Sequence, residues 1–447
     1  MKAYSSQALL TSGPIGPALI SLSGPMLAGI LSMMAFNVID AFFIGKLGAG
    51  PLAAITLTFP VAAIISTCTI GIGVGAMAAI AKSIGSGDHS RIGRLTTDTL
   101  SLSMLLVAVL CIAGIVLINP IFTMLGASPE LLPEIRRYMY LWYPGMMLYT
   151  VPMISSNILR ATGDTITPSA IMIGSMVVNA LLDPLFIFGL GPIPALGLAG
   201  AATASLITRA LALCFALWLL WHREHLIVNP LAHKHELLES WKTVLVIGMP
   251  VAISNMIIPA ATGVITAIVT RFGTEAVAGF GVGTRIESLG YTLIIAASTG
   301  LSPFVGQNFG AGKYDRIRIG VRYAQIFSFI WGTVMFVVLL FAGSLCAQMF
   351  NGNLGVVHSA RLYLLIVPLS LGLRGIHQIV WTSLNVLGHP YHSMILEGIL
   401  AIALWIPCSL LGAHFFGLAG VYAGISVSNC IAGTLAGIWI YRVLKRK

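Results

Sequence analysis

Two aspartates lie deep inside long apolar runs of the chain. Asp40 lies in the run that begins at Pro25 and ends at Ile44, and Asp183 lies in a second run. A carboxylate far from any polar flank is costly in a hydrocarbon environment, so such acids serve a function more often than a structural purpose. The two residues are therefore the first candidates for the chemistry of this protein.

An asparagine accompanies each aspartate at a helical spacing. Asn37 precedes Asp40 by three residues and Asn179 precedes Asp183 by four, so each pair shares one face of a helix. Carboxylate, amide and hydroxyl oxygens are ligands for hard cations, and two neighbouring acids favour uptake of one proton. The pattern predicts a proton or cation site in a transporter and suits H⁺ and Na⁺ equally. The alternative is that both acids are only hydrogen-bonding groups between packed helices.

The composition predicts a membrane protein with many spans. Of 447 residues, 57% are hydrophobic and 9% are charged, and the mean hydropathy is +0.95. Apolar runs long enough to cross a bilayer recur along the chain, and we expect twelve spanning helices between residues 15 and 441. The first run is expected to be retained and not cleaved as a signal. The six cysteines lie in apolar runs without CxxC spacing, so we expect them to form no disulfides and to bind no metal ion.

The net charge of +10 follows the expected topology. When the spans are drawn with the N-terminus in the cytoplasm, most lysines and arginines fall on the cytoplasmic side, as the positive-inside rule requires. We therefore expect both termini in the cytoplasm and the protein in the inner membrane of a cell. The basic excess gives no reason to expect nucleic-acid binding.

The two halves of the sequence repeat each other. At an offset of 225 residues, Pro25 aligns with Pro250 and residues 85–92 align with 310–317; residues 197–200 align with 417–420 at a slightly smaller offset. An even number of spans per half keeps their direction, so the halves relate by an axis along the membrane normal. We assign residues 1–221 to an N-lobe, 222–242 to a cytoplasmic linker and 243–447 to a C-lobe.

Other polar residues in the spans of the C-lobe form a weaker set of candidates. Each is as compatible with a hydrogen bond between helices as with a role in transport. They are Arg285, Glu287, Arg374, His377 and Gln378.

Two motifs suggest other functions. Residues 85–88 match the GxGD pattern of intramembrane aspartyl proteases, but the repeat partner keeps both glycines and replaces Asp88 with Lys313. The glycines therefore serve the loop, and we do not expect an enzyme. The glycine-rich segment that contains Gly71 and Gly75 suggests a nucleotide-binding loop, but no strand precedes it and no Lys-Ser/Thr follows it. Close helix packing is therefore the better interpretation of these glycines.

Several segments resemble one transporter family. The first helix of multidrug and toxic compound extrusion (MATE) transporters is resembled by residues 22–26 and 36–40. Two loops of that family are resembled by residues 159–164 and 306–312, and the fifth helix of its DinF-like branch by residues 179–184. The resemblance implies an all-α membrane protein of twelve transmembrane helices, with two pseudo-symmetric six-helix lobes around a V-shaped central cleft. It also implies an N-lobe site for H⁺ or Na⁺ formed by Asp40, Asn179, Asp183 and Ser205, with Asn37 in support. In the tenth span, Arg374, His377 and Gln378 stand where another branch has an acid.

The resemblance implies a multidrug efflux antiporter. It would export organic cations or amphipathic drugs by alternating access, without a cofactor, as a monomer in the lipid bilayer, coupled to inward flow of H⁺ or Na⁺. The alternative is a flippase for lipid-linked oligosaccharides from the same superfamily. A flippase needs several cationic side chains facing the cleft, whereas the spans hold only Arg209, Arg285 and Arg374.

Overall fold

The computed structural model describes residues 10–47, 49–189, 194–228, 234–350 and 352–445. These residues are helical almost throughout, and within them no strand occurs. The long helices are α1 (Ile15–Gly45), α2 (Ala49–Ser86), α3 (His89–Val116), α4 (Leu132–Thr162), α5 (Ile166–Phe188), α6 (Leu198–Trp218), α7 (Lys234–Thr270), α8 (Thr274–Gly310), α9 (Tyr314–Phe350), α10 (Leu354–Val386), α11 (390–416) and α12 (418–445).

Among the residues that the structure describes, twelve helices are long enough to cross a bilayer, as predicted. Ten stretches of the described residues are both long and apolar enough, and one of them, Pro390–Lys445, has 56 residues. That stretch breaks at Gly417, whose φ of 60° and ψ of −142° are not helical, so it supplies both α11 and α12. α4 adds a further helix of 31 residues, and at 1.5 Å per residue this length exceeds the bilayer core of about 30 Å.

The internal repeat is visible in the backbone. Gly197 before α6 has φ 58° and ψ −132°, which nearly equal the values of its repeat partner Gly417 before α12. The loop glycines Gly87 and Gly312 also match, with φ of 77° and 70°. Residues other than glycine rarely adopt positive φ. The two halves therefore keep glycine where the turn geometry requires it, and the repeat read from the sequence corresponds to a repeated structure.

The chain folds into two compact units. Among the described residues, the N-unit contains residues 28–252, and the C-unit contains residues 10–27 and 253–445. The chain passes from one unit to the other inside α1, between Leu27 and Ala28, and again inside α7, between Ala252 and Ile253. These two helices occupy equivalent positions in the repeat.

Glycines allow α2 to pack closely on the first part of α7 within the N-unit. A Cβ atom added to Gly71 would lie 2.3 Å from the carbonyl oxygen of Gly248, and one added to Gly75 would lie 2.4 Å from that of Val244. Such distances leave no space for any larger residue. The interpretation of these glycines as packing residues is therefore confirmed.

The segment before α1 is fixed within the C-unit by side chains from the end of α8, the start of α9 and the loop between them. Asn308 donates to the carbonyl of Leu10 at 2.9 Å, and Arg316 donates to the carbonyl of Gly13 at 2.9 Å. Lys313 donates to the carbonyl of Thr11 at 2.7 Å. The corresponding loop of the N-unit contains Asp88, which accepts from the backbone N–H of Arg91 and caps α3.

Candidate functional site

Asp183 and Asn179 on α5 are buried within the N-unit. Asp183 is 0% exposed and Asn179 is 1% exposed. Neither carboxylate oxygen of Asp183 has a hydrogen-bond partner of ordinary geometry, and the same is true of the amide oxygen of Asn179. The amide nitrogen of Asn179 donates to the hydroxyl of Ser205 on α6, at the long distance of 3.5 Å. α5 and α6 therefore bring three of the predicted residues together.

Asp40 joins this group from α1. Its carboxylate is within electrostatic reach of Asp183, and its Oδ1 atom is buried without a hydrogen-bond partner. Asn37, one turn earlier on α1, has an exposed side chain. The structure thus assembles Asp40, Asn179, Asp183 and Ser205 from three helices of one unit, and Asn37 lies at the surface.

Arg209 is a further member of the site that the sequence analysis did not assign to it. It lies on α6, four residues after Ser205, and acts electrostatically on Asp40. Aromatic rings of α4 hold its guanidinium, with Tyr149 at 5.5 Å and Trp142 at 6.0 Å from the ring centres. The spacing of Ser205 and Arg209, which places both on one helical face, is the signal that could have found it.

The N-unit site has more acceptor atoms than donors. Four oxygen atoms of Asp40, Asn179 and Asp183 are buried without a donor, and buried polar atoms in folded proteins nearly always have one. A proton would supply a donor, and Na⁺ would supply a ligand centre for hard oxygens. Among the described residues, no group of three or more His, Cys, Asp or Glu suits a transition metal.

The polar residues of the C-unit form a paired cluster instead. Glu287 on α8 is 3% exposed. Its Oε1 atom accepts from Arg374 of α10 at 3.1 Å, and its Oε2 atom accepts a short hydrogen bond from the hydroxyl of Tyr363. Arg285, two residues before Glu287, is exposed, as expected for a residue on another face of α8.

The remaining C-unit candidates lie around Arg374. Gln378 accepts a hydrogen bond at 3.4 Å from Tyr291, whose ring lies 4.6 Å below the Arg374 guanidinium. The Nδ1 atom of His377 lies 3.8 Å from Oε2 of Glu397 on α11. Arg374 and Gln378, four residues apart on α10, therefore share a helix face toward Tyr291, while His377 lies on a different face and contacts α11.

Comparison with known proteins gives matches over nearly the whole chain. The MatE family model matches residues 25–185 and 250–411. A protein of Shewanella oneidensis named "FAD transporter" is 35% identical over 424 residues, which cover 95% of this chain and 94% of that protein. "Multidrug export protein MepA" of Staphylococcus aureus is 26% identical over 443 residues, which cover 97% and 95%.

A solved structure has the same fold. The Vibrio cholerae MATE transporter VcmN in the bent form aligns with a TM-score of 0.92 and 28% sequence identity. The alignment covers 100% of this chain and 99% of VcmN.

Proposed function

This chain belongs to the MatE family of multi-pass membrane transporters, and we propose that it exports its substrate in exchange for H⁺ or Na⁺ bound at Asp40 and Asp183. The family members are transporters and not enzymes. The coupling ion enters the N-unit site formed with Asn179 and Ser205.

One observation carries the proposal. Four buried oxygen atoms on α1 and α5 have no hydrogen donor, although leaving a buried acceptor unsatisfied costs about 1–3 kcal/mol per group. A bound ion or proton removes that cost, and its release restores it. The occupancy of the site can therefore change the relative stability of two states of the transporter, which coupling requires.

The positions of the acids also support coupling. Asp40 lies in α1 and Asp183 lies in α5, so a shared ion links two helices that otherwise have no hydrogen bond at these residues. Two like charges within reach of each other are costly when both are ionised. The pair is therefore best satisfied by one proton or one cation, taken up and released together by both residues.

Two substrate classes are candidates. Amphipathic drugs and organic cations are favoured by the likeness to MepA, at 26% identity. Flavin adenine dinucleotide (FAD) is favoured by the greater likeness, 35% over almost the full length, to the Shewanella protein. We propose export of an aromatic amphipathic compound, with FAD as the specific candidate and drugs as the second. A flippase would need a cluster of cationic side chains, and the described residues of the spans contain no such cluster, which argues against that alternative.

Transport into vesicles separates these possibilities. Purified protein in liposomes is expected to move FAD or the dye ethidium only when a proton or sodium gradient is imposed, and the two gradients are applied separately. Liposomes with the Asp40→Asn variant serve as the control, because the side chain keeps its shape and loses its charge. Equal transport with and without gradients would contradict ion coupling.

The orientation in the membrane is part of the proposal. Cysteine reporters at Gly50 and Ser128 are expected to react with a membrane-impermeant reagent in intact cells. Reporters at Ser90 and Lys313 are expected to react only after permeabilisation, because the basic loops lie in the cytoplasm. The opposite labelling pattern would overturn the orientation and the cytoplasmic position of both termini.

A further inference from the structure

A cavity inside the C-unit has no role in the ion site. Its volume is about 160 Å³. The described residues around it provide a guanidinium group, a carboxylate, several hydroxyl groups and aromatic rings. The polar lining is formed by Thr262, Thr284, Glu287, Ser288 and Arg374, and the aromatic lining by Phe280, Tyr291, Tyr363 and Trp405. Four helices, α7, α8, α10 and α11, supply these residues.

The charge of the cavity is already compensated. Arg374 pairs with Glu287 at 3.1 Å, and the second oxygen of Glu287 is bonded to Tyr363. Glu397 is a further acid within electrostatic reach of Arg374. A phosphate would find no excess positive charge here, and a cationic ligand would find no free oxygen on Glu287.

Donors for an uncharged acceptor remain available. A guanidinium carries five N–H groups in a planar fork, and Glu287 engages Nη1 alone. The Arg374 side chain is 22% exposed, so part of it faces open space. The hydroxyl groups of Thr284 and Ser288 bond to backbone carbonyls of their own helix, and a hydroxyl oxygen retains capacity to accept a hydrogen bond.

The aromatic walls are held in place by hydrogen bonds. Trp405 donates from Nε1 to Asn429 at 2.9 Å, and Asn429 donates to Ser370 at 3.0 Å. Tyr291 is oriented by Gln378. Both rings lie against the Arg374 guanidinium, with centres at 4.6 Å for Tyr291 and 5.5 Å for Trp405. Rigid walls of this kind reduce the entropy lost when a ligand binds.

The volume limits the ligand. A protein cavity of about 150 Å³ accommodates a single benzene ring, so this cavity of about 160 Å³ holds one ring of a larger molecule. The ring must be flat to lie along Tyr291 or Trp405, and it must carry oxygen acceptors toward Arg374. A ring with two carbonyl groups and an N–H between them meets both conditions.

We propose that this C-unit cavity binds the dicarbonyl end of a planar heteroaromatic ring, such as the pyrimidinedione end of a flavin, with its oxygens on Arg374 and its face on Tyr291 and Trp405. The proposal rests on the proposed export of an aromatic compound, and it names the part of the substrate that the C-unit recognises. The ring is recognised by shape and hydrogen bonds, and the phosphates of a dinucleotide lie outside the cavity.

Equilibrium binding to the purified protein tests this without any ion gradient. The probe is lumichrome, an uncharged tricycle that ends in a pyrimidinedione, and its binding is followed by fluorescence anisotropy. Wild-type protein is expected to bind it saturably, and AMP, which has phosphate but no dicarbonyl ring, is expected not to displace it. Absence of lumichrome binding, or its displacement by AMP at equal concentration, would overturn the proposal.

Variants locate the site. Arg374→Lys keeps the charge and its attraction to Glu287 but loses the planar fork, so lumichrome affinity is expected to fall about tenfold, which corresponds to one hydrogen bond of about 1.4 kcal/mol. Arg361→Lys is the matched control, because Arg361 is an exposed residue of the same helix. Unchanged affinity in Arg374→Lys would exclude the cavity as the site. If that variant does not fold, Tyr291→Leu removes an aromatic wall and keeps both charged partners, Arg374 and Glu287, and the same loss of affinity is required.

Binding and coupling can fail separately. Gradient-driven transport that depends on Asp40, with no lumichrome binding, would refute the ring site and leave the proposed function intact. Lumichrome binding that depends on Arg374, with no response of transport to either gradient, would refute the ion coupling and leave the ring site intact.

Discussion

The N-unit and the C-unit both bury acids in their helices, but the acids have opposite surroundings. Both oxygens of Asp183 lack a hydrogen donor, whereas both oxygens of Glu287 are bonded, one to Arg374 and one to Tyr363. Arg209 of the N-unit interacts with Asp40 only electrostatically, because aromatic rings hold its guanidinium. An acid whose oxygens have no hydrogen-bond donor can take up and release an ion. An acid whose oxygens are both hydrogen-bonded instead fixes the shape of a cavity.

The largest expected effect is the loss of transport when either N-unit acid is neutralised. Asp40→Asn and Asp183→Asn are each expected to reduce gradient-driven export to the level of empty liposomes, because each removes a charge that the ion requires. The double variant is expected to lose little more, since the two residues act as one site. Export is measured in liposomes, and Asp315→Asn, which removes an exposed carboxylate of the C-unit, is the control.

A substantial remaining rate in either single variant, with further loss in the double variant, would show that the acids act independently. The shared site would then be wrong, although each acid could still bind an ion by itself.

Stability is expected to respond in opposite directions in the two units. Glu287→Gln leaves the Arg374 charge without its partner, and breaking a buried pair in this way costs about 3–5 kcal/mol. Asp183→Asn removes a buried acid that has no donor, so it is expected to leave the unfolding temperature unchanged or raise it. Thermal unfolding in detergent at neutral pH measures both. A loss of stability in Asp183→Asn as large as that in Glu287→Gln would erase the contrast between the units.

Arg209 is expected to tune the affinity of the N-unit site for its ion. A unit charge several ångströms from Asp40 repels a cation by about 2 kcal/mol at an effective dielectric constant of about 20. Arg209→Gln is therefore expected to lower the H⁺ or Na⁺ concentration for half-maximal transport by about thirtyfold. Arg91→Gln, at an exposed position of the same unit, is expected to leave it unchanged. A shift to higher concentrations in Arg209→Gln would mean that Arg209 helps to bind the ion.

Glu224 is intermediate between Asp183 and Glu287, because it is buried and only partly compensated by a charged partner. It lies outside the spans, after a short π-helical turn (Leu219–Arg223) that follows α6. It is buried but pairs with Arg223 at 3.3 Å. Burial raises the pKa of Glu224, and the Arg223 charge offsets only part of that rise. The folded state therefore binds the proton more tightly than the unfolded state, and stability falls as pH rises through and above the ordinary Glu pKa of about 4.3.

Glu224→Gln is accordingly expected to raise the unfolding temperature slightly at pH 7 and to lose that advantage near pH 4. Unfolding curves at the two pH values, with wild-type protein beside the variant, measure the difference. A lower unfolding temperature at pH 7 would show that the pair with Arg223 outweighs the cost of burial.

The N-unit site could be predicted from the sequence because depth in an apolar run and helical spacing are local properties. Asp183 and Asn179 are four residues apart on one helix, and their burial follows from the hydrophobicity of that helix. Asp40 was found in the same way, by its depth in an apolar run, whereas Ser205 came from the family resemblance, and the structure brings both to the same place. Arg209 was missed because no acid shares its helix, so its relation to Asp40 depends on how α1 packs against α6.

The C-unit cluster could not be derived in this way. Glu287 and Arg374 are 87 residues apart, and Glu287 and Tyr363 are 76 apart. Their pairing depends on the relative height and rotation of α8 and α10, which neither periodicity nor composition encodes. The sequence pattern likewise did not predict that α7 starts as early as Lys234. The first turns of this helix are polar, so hydropathy gave no signal for them, whereas Glu236 in the first turn suits a helix N-terminus.

The anchoring of the segment before α1 has a consequence for the order in which the protein forms. Leu10 bonds to Asn308 and Gly13 bonds to Arg316, partners 298 and 303 residues further along the chain. During synthesis the chain emerges from its N-terminus at about 5–20 residues per second, so this first segment waits many seconds for its partners. The segment thus reaches its native contacts only after about 300 further residues have been made, and until then the part of the C-unit that surrounds it cannot assume its final arrangement.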